Sequence, residues 1–166
     1  MSATLSLFDE AAVWSVCGRG DPRGRALADR HYSRQTPGAV GWAPPGEHLS
    51  LIRDGALWTV VRNLDPRGRH RWRVTLFRRE SGPRASDLVR TATEITFAHW
   101  RRRGGGSLPP EALTTEVDAV RVASSNPGFC FRAAGWRRLG ERRGLIIFVA
   151  PGEIERGATL PLVSIQ

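Results

Sequence analysis

The stretch Trp72-Arg-Val-Thr-Leu-Phe-Arg-Arg-Glu-Ser-Gly-Pro-Arg-Ala-Ser-Asp-Leu-Val89 decides the fold, because it joins a predicted strand to the longest predicted helix. Residues 72–78 alternate between apolar and polar side chains, which is typical of a strand with one buried face. After the Gly-Pro break, four residues recur at helical spacing: Leu88, Ala92, Ile95 and His99. We therefore predict a helix over Arg84–Arg103, ended by the glycines at 104–106.

The rest of the chain is divided into short elements by Pro and Gly residues. A short helix is predicted over 25–33, and a second one opens at Asn126-Pro127 and ends at Gly135, with Asn126 as its N-cap. The predicted strands are His48–Arg62, Arg69–Arg79, Leu113–Val122, Trp136–Leu139 and Gly144–Val149. This order predicts an α/β fold with a mixed central sheet, helices on both faces and a single domain over 1–166.

The charge favours a polyanionic partner. The 166 residues carry a formal net charge of +9, and all 25 basic residues are arginine. The guanidinium group binds phosphate in a bidentate manner and stacks on bases. A codon bias toward arginine explains the absence of lysine, but it does not explain the sign of the charge. The predicted basic surface, for which a solvated face is the alternative, consists of Arg71, Arg73, Arg78, Arg79, Arg101, Arg102 and Arg103.

Membrane and secreted classes are not favoured. No apolar run approaches the roughly 20 residues that span a bilayer. Residues 1–10 have no basic region of the kind that begins a signal peptide. Cys17 and Cys130 are too few and too far apart for a disulfide framework or a cysteine-rich zinc site. We expect a protein of a reducing cytoplasm.

Two segments resemble the GNAT acyltransferase superfamily. In Asn126-Pro-Gly-Phe-Cys-Phe-Arg-Ala-Ala-Gly-Trp136, an aromatic residue precedes a Gly-aromatic pair by four positions, as in the last helix of that superfamily. The loop Arg79-Glu-Ser-Gly-Pro-Arg84 is similar to its pyrophosphate loop, Gln/Arg-x-x-Gly-x-Gly/Ala. The resemblance spans 74–149 and implies a GNAT-like fold and an acyl-CoA or related donor. It assigns donor contacts to four residues: Arg79, Gly82, Arg84 and Asn126.

The chain departs from the GNAT pattern at two positions. Arg84 stands where the loop requires Gly or Ala, and Phe131 stands where many members place a tyrosine that protonates the departing thiolate. A phenyl ring has no proton to donate, so acyl transfer would need another acid.

A third segment, Ala28-Asp-Arg-His-Tyr-Ser-Arg-Gln-Thr-Pro-Gly38, together with 126–131, looks like the Mom-type branch of the superfamily. Those phage-associated proteins modify adenine N6 in DNA and so blunt restriction enzymes. The resemblance implies a DNA-modifying transferase that acts on double-stranded DNA in the host cytoplasm. It also implies bound iron, for which the only candidates are scattered: His31, His48 and Asp118.

The predicted site residues have different roles. We expect His31 to move a proton, and Tyr32 and Ser33 to position the base. Asp118 is a candidate base with a raised pKa. Ser124 follows a strand at the place where a GNAT-like sheet separates to admit its donor. Each of these residues also has a structural alternative, as a helix-end, packing, turn or solvated side chain.

Trp42 lies in the loop Gly41-Trp-Ala-Pro44, and an aromatic residue there would be placed to stack on an extruded base. The alternative is a core tryptophan.

Two other functions stay open. The first is a CoA-dependent N-acyltransferase acting on a small amine, a peptide or tRNA. The second is a catalytically inactive module that binds nucleic acid.

Overall fold

The structure is a computed structural model that describes residues 14–104 and 113–152. Its strands are β1 (Ser15–Cys17), β2 (Glu47–Arg53), β3 (Ala56–Leu64), β4 (His70–Arg79), β5 (Leu113–Asp118), β6 (Arg137–Arg142) and β7 (Leu145–Val149). Its helices are α1 (Pro22–Asp29), α2 (Ala85–Gly104) and α3 (Phe129–Ala133). None of the described helices combines the length and the apolarity that crossing a membrane requires.

The seven strands form one mixed sheet in the order β1-β2-β3-β4-β5-β7-β6. All neighbouring pairs are antiparallel except β4 and β5, which are parallel. Parallel neighbours need a long crossover connection, and α2 supplies it between them. The predicted α/β class with a mixed sheet is confirmed, and the predicted long helix is shifted by only one residue at each end.

The parallel pair β4–β5 separates soon after it forms. Only three residue pairs join the strands, from Trp72 with Leu113 to Val74 with Thr115. Beyond them β4 pairs only with β3, and β5 pairs only with β7. The separation begins at a bulge in β4. Thr59 of β3 pairs with Leu76 and Val60 pairs with Val74, so Thr75 is the extra residue. The sheet is therefore open between the carboxyl ends of β4 and β5.

The predicted strand His48–Arg62 is two strands. Arg53 pairs with Ala56, and Asp54 and Gly55 form the two-residue turn between them. Gly55 has a φ of +72°, a conformation that residues with a side chain rarely adopt. An Asp-Gly pair between apolar runs is a strong hairpin pattern, so this turn could have been predicted from the sequence.

Several other boundaries differ from the prediction. Helix α1 begins at Pro22, because the Asp21 carboxylate accepts the Arg23 N–H, and its end at Asp29 leaves 31–33 in a loop. Strand β5 ends at Asp118 rather than at residue 122. Helix α3 begins at Phe129 with Gly128 as its N-cap, so Asn126 is not the cap.

The predicted end of α3 is confirmed. Gly135 has a φ of +90°, and the Trp136 N–H donates to the Phe131 carbonyl at 2.9 Å, as in a helix ended by a left-handed glycine.

Two clusters of buried side chains cover the sheet. The larger one joins α2 and α3 to the strands through residues such as Trp58, Leu88 and Phe131. The smaller one joins α1 to the sheet through Leu27 and five other residues. Leu51 belongs to the larger cluster and its neighbour Ile52 to the smaller one. Because adjacent strand residues point to opposite faces, these two side chains lie on opposite sides of β2.

Candidate functional site

Two adjoining cavities lie where β4 and β5 separate. The smaller has a volume of about 430 Å³ and the larger about 1050 Å³. His31, Cys130 and Phe131 line only the smaller cavity, whereas Ser33 and Asp118 line only the larger one. The residues that line both, and so mark their junction, are Tyr32, Val74, Thr75, Leu76, Glu116 and Arg121. Three predicted site residues, His31, Tyr32 and Ser33, are therefore brought together with Asp118 at one place.

The loop that carries these residues is held by Arg34, whose side chain is only 8% exposed. Its guanidinium group donates to the Asp29 carboxylate at 2.8 Å and to the carbonyls of Ala39 and Gly41 at 2.6 and 2.9 Å. The other Asp29 oxygen accepts the Gly38 N–H at 3.0 Å. Both ends of the loop are thus tied to the end of α1, which fixes the position of 31–33.

The His31 imidazole is neutral near pH 7. Burial, followed by the positive charge of Arg78, lowers its pKa from 6.5 to about 4. Nδ1 accepts the Ser33 N–H at 3.2 Å and lies 2.7 Å from the Ser33 Oγ. Nδ1 therefore carries the lone pair and Nε2 carries the proton. The Ser33 hydroxyl can donate to this lone pair, which forms a proton path from the larger cavity to His31.

Tyr32 lies between the two cavities. Its ring is 4.4 Å from that of His31, and its hydroxyl accepts a long hydrogen bond of 3.5 Å from the Asp118 N–H. Burial raises the pKa of Tyr32, and the negative charges of Asp118 and Glu116 add to the effect. The hydroxyl therefore keeps its proton at neutral pH and can donate it.

The Asp118 carboxylate is already hydrogen-bonded to the backbone. Oδ1 accepts the N–H groups of Val120 and Arg121 at 3.0 and 3.2 Å, and Oδ2 lies 3.6 Å from the Arg121 Nε. These contacts hold the turn after β5. The side chain thus has a structural role in addition to its position on the larger cavity.

Glu116 is the functional candidate that sequence reasoning missed. It lines both cavities, and its oxygens lie 2.9 Å from Arg142 and 3.4 Å from Arg73. It follows Thr115, the last residue of β5 that pairs with β4. The alternation Thr114-Glu116-Asp118 was visible in the sequence, but it does not say which strands separate.

The rim of the smaller cavity is basic: its lining contains Arg30, Arg78, Arg79 and Arg121, but only one acid, Glu116. The Glu80 carboxylate neutralises part of this charge. It accepts from the Arg30 Nε at 2.6 Å and from the Arg78 Nε at 2.7 Å.

Several polar groups of the loop 79–84 are engaged within the protein. The N–H groups of Glu80 and Ser81 donate to the Gly55 carbonyl at 2.7 and 3.4 Å. The Arg79 side chain donates to the carbonyls of Gly82 and Pro83 at 2.9 and 2.6 Å, and Pro83 has no N–H. Arg84 is exposed at the start of α2, where its carbonyl accepts the Leu88 N–H.

Ser124 and Asn126 lie on the exposed loop before α3, and neither lines the described cavities. The Ser124 Oγ accepts the Asn126 N–H at 3.1 Å, and the Asn126 side-chain Oδ1 accepts from the Arg132 guanidinium. Both side chains thus stabilise the loop.

The expectation that Trp42 lies outside the core is wrong, but Trp42 does line the larger cavity, so its stacking on an extruded base stays a prediction. Its side chain is 7% exposed and packs against Gly24, and its Nε1 donates to the Thr59 Oγ1 at 3.1 Å. Gly24 of α1 and Thr59 of β3 together enclose the Trp42 side chain.

The predicted basic residues do not form one surface. Arg78 and Arg79 lie at the carboxyl end of β4, beside the smaller cavity. Residues 101–103 end α2, which at 1.5 Å per residue is about 30 Å long. Arg103 pairs with Glu47 at 3.2 Å, at the start of β2 and the far end of the sheet. Arg71 pairs with Asp65 at 3.4 Å at that same end, whereas Arg73 lines the larger cavity.

The residues present do not fit an iron site. Across 14–104 and 113–152, no three His, Cys, Asp or Glu side chains come close enough to hold a metal ion. Nδ1 of His31 is bonded to Ser33, and Asp118 is bonded to the backbone. His48 lies on β2 and lines neither described cavity.

Comparison of the chain with protein-family models, with curated proteins and with solved structures found no match.

Proposed function

We propose that the chain has a GNAT-like fold, with helices on both faces of the sheet, and transfers an acyl-type group to a nucleobase of DNA, with the adenine N6 amine as acceptor. The fold proposal is supported by the parallel pair β4–β5, which separates after Val74 and Thr115. Separated central strands are what the resemblance implies for admitting a donor.

The observation that carries the proposal is the pair of cavities that meet at Tyr32. The smaller, lined in part by Phe131, is assigned to the acyl end of the donor. The larger, at about 1050 Å³, has room for an extruded base. A base must leave the duplex before chemistry can occur on its exocyclic amine. The junction is where the two reactants would meet.

His31 and Ser33 are assigned to the amine proton. When N6 attacks the acyl carbon, the N–C bond forms, the bond to the leaving group breaks and the nitrogen loses one proton. The attacking nitrogen becomes positively charged, so its proton is strongly acidic and a weak base suffices. Ser33, which faces the larger cavity, passes this proton to the Nδ1 of His31 at 2.7 Å.

Tyr32 is assigned to the leaving group. Phe131 has no proton to donate at the position where many GNAT members have tyrosine. Tyr32 is the one tyrosine of the chain, it lines both cavities, and its raised pKa keeps it protonated. Glu116, at the same junction, is assigned to accept a hydrogen bond from the amine and so orient it.

CoA as the donor receives less support. In the loop that resembles the pyrophosphate loop, the N–H groups of Glu80 and Ser81 donate to the Gly55 carbonyl, so these two donors are already used within the protein. A CoA-dependent enzyme acting on a small amine, a peptide or tRNA is therefore the second candidate, and saturable acetyl-CoA binding without DNA binding would favour it.

The test is nucleoside mass spectrometry of DNA from cells that express the protein, the His31→Ala variant or the His70→Ala control. His70 is exposed at the start of β4, far from the junction. We expect a new adenosine-derived mass with the wild type and the control, and none with His31→Ala. An unchanged profile with folded wild-type protein would overturn the proposal. If the protein binds DNA but does not modify it, the remaining candidate is the catalytically inactive module that binds nucleic acid.

A further inference from the structure

We propose that the turn after β5, residues 119–122, enters the base stack of a DNA duplex, where Val120 occupies the space of the extruded base and Arg121 and Arg143 contact the flanking phosphates. This inference rests on the proposed function and assigns the surface that meets the duplex.

Val120 is displayed on a fixed turn. Its side chain is 92% exposed, the highest value among the exposed large hydrophobic residues of the described chain. The turn is held by three hydrogen bonds to Asp118, two to its carboxylate and one from the Val122 N–H to its carbonyl at 3.0 Å. An apolar side chain on an ordered turn can enter a base stack without first losing conformational freedom.

The turn lies at the mouth of both cavities. Arg121 lines both of them, and Val122 lines the smaller one. A base that leaves the stack next to Val120 would therefore have a short path into the larger cavity. The other exposed hydrophobic residues lack this position: Leu64, for example, ends β3 at the far end of the sheet.

A second turn adds positive charge beside the first. Asp118 of β5 pairs with Leu145 of β7, and Leu145 pairs with Arg142 of β6. The β6–β7 turn, with the exposed Arg143, thus lies at the same end of the sheet as Val120. Exposed guanidinium groups near an apolar residue match a groove edge, where phosphates flank the stacked bases.

Apolar side chains that enter base steps are an established means of unstacking DNA. Their contacts with the bases compensate part of the free energy that unstacking costs. This cost arises only when the acceptor base is stacked in a duplex. The proposed role therefore predicts a defect on duplex DNA that disappears on single-stranded DNA of the same sequence.

The test compares Val120→Ser with Leu64→Ser, a matched change at a residue that is 61% exposed. Modified adenosine is quantified on one mixed-sequence oligonucleotide, single-stranded and duplex. We expect Val120→Ser to lose about tenfold or more of its duplex yield, with an unchanged single-strand yield and no change in Leu64→Ser. The fluorescence of a 2-aminopurine placed in the duplex, which rises on unstacking, should rise less with Val120→Ser.

The phosphate contacts are tested by Arg143→Gly. Arg143 has a φ of +52°, so glycine relieves backbone strain while it removes the charge, and folding is not endangered. Each lost phosphate contact should reduce the slope of log affinity against log salt by about 0.9. Arg67→Ala, in the turn between β3 and β4 at the far end of the sheet, should leave the slope unchanged.

The outcomes distinguish this inference from the proposed function. If wild-type protein modifies DNA and Val120→Ser retains the wild-type ratio of duplex to single-strand yield, the wedge role is wrong and the proposed function stands. Equal losses on both substrates would also overturn the wedge role. If wild-type protein modifies neither substrate, the proposed function itself fails.

Discussion

Nδ1 of His31 lies 2.7 Å from Oγ of Ser33, and the two side chains line different cavities. The hydrogen bond between them crosses the boundary between the cavity assigned to the donor and the cavity assigned to the base. Tyr32, between them in sequence, lines both. A proton can therefore pass from the larger cavity to His31 through the Ser33 hydroxyl.

The first prediction concerns this relay. His31→Ala should lower the modification rate by about 10²–10⁴-fold, the range of general acid–base catalysis. Adding Ser33→Ala should cause little further loss, because residues that act as a unit are not additive. Single-turnover kinetics measures both effects. Losses that multiply in the double variant would show that the two residues act independently.

The second prediction concerns acid stability. The pKa of His31 is about 4 in the folded chain, against 6.5 for an ordinary histidine. The unfolded chain thus binds a proton at a higher pH than the folded chain does. The contribution of neutral His31 to the free energy of unfolding is therefore fully present above pH 6.5, and it is lost as the pH falls toward 4. Between pH 7 and 4.5, His31→Gln should lose less free energy of unfolding than the wild type, by on the order of 1–3 kcal/mol.

Urea denaturation at the two pH values measures this difference. His70→Gln is the control, because His70 is exposed and should follow the wild type. Equal pH dependence in His31→Gln and the wild type would mean that His31 is not held in its neutral form.

The third prediction compares two glycines with nearly equal backbone conformations. Gly128 has a φ of +79° and Gly144 a φ of +78°. A Cβ at Gly128 would lie 2.4 Å from the Phe148 ring, whereas a Cβ at Gly144 would meet nothing within 4 Å. Both alanine variants should lose about 1–2 kcal/mol from the left-handed conformation. Gly128→Ala should lose about 1–3 kcal/mol more, because the Phe148 ring must move.

Thermal denaturation of the two variants measures the difference. Phe148 stacks on Phe131, which lines the smaller cavity, so Gly128→Ala should also impair activity. Equal Tm values for the two variants would mean that the Phe148 ring moves without a loss of stability.

The fourth prediction concerns the anchor of the 31–33 loop. Arg34→Ala removes an almost buried guanidinium group and leaves the Asp29 carboxylate without its ion pair. We expect a loss of about 2–3 kcal/mol in the free energy of unfolding. Arg23→Ala removes an ion pair whose arginine is 61% exposed, and it should cost less than about 1 kcal/mol.

Hydrogen exchange reports the local effect. Faster exchange at residues 31–41 in Arg34→Ala, with the sheet unchanged, is the expected result. If hydrogen exchange is faster by the same factor across the whole molecule, Arg34→Ala lowers the global stability and not the order of this loop alone.

The sequence by itself determined the elements whose pattern is local. The apolar spacing of Leu88, Ala92 and Ile95 predicted α2, and the glycine at 135 predicted the end of α3, because such patterns depend on neighbours within one or two turns. It also predicted that His31, Tyr32 and Ser33 lie close together, because they are consecutive.

Only the tertiary structure decided what depends on residues distant in sequence. The separation of β4 from β5 follows from where the pairing of residues 72–74 with 113–115 stops. It brings Glu116 to Tyr32, 84 positions earlier in the chain. Trp42 is buried because Gly24 and Thr59 enclose it. The arginines at 78–79 and 101–103 are held apart by the length of α2. Such contacts are set by chain packing, and no local periodicity encodes them.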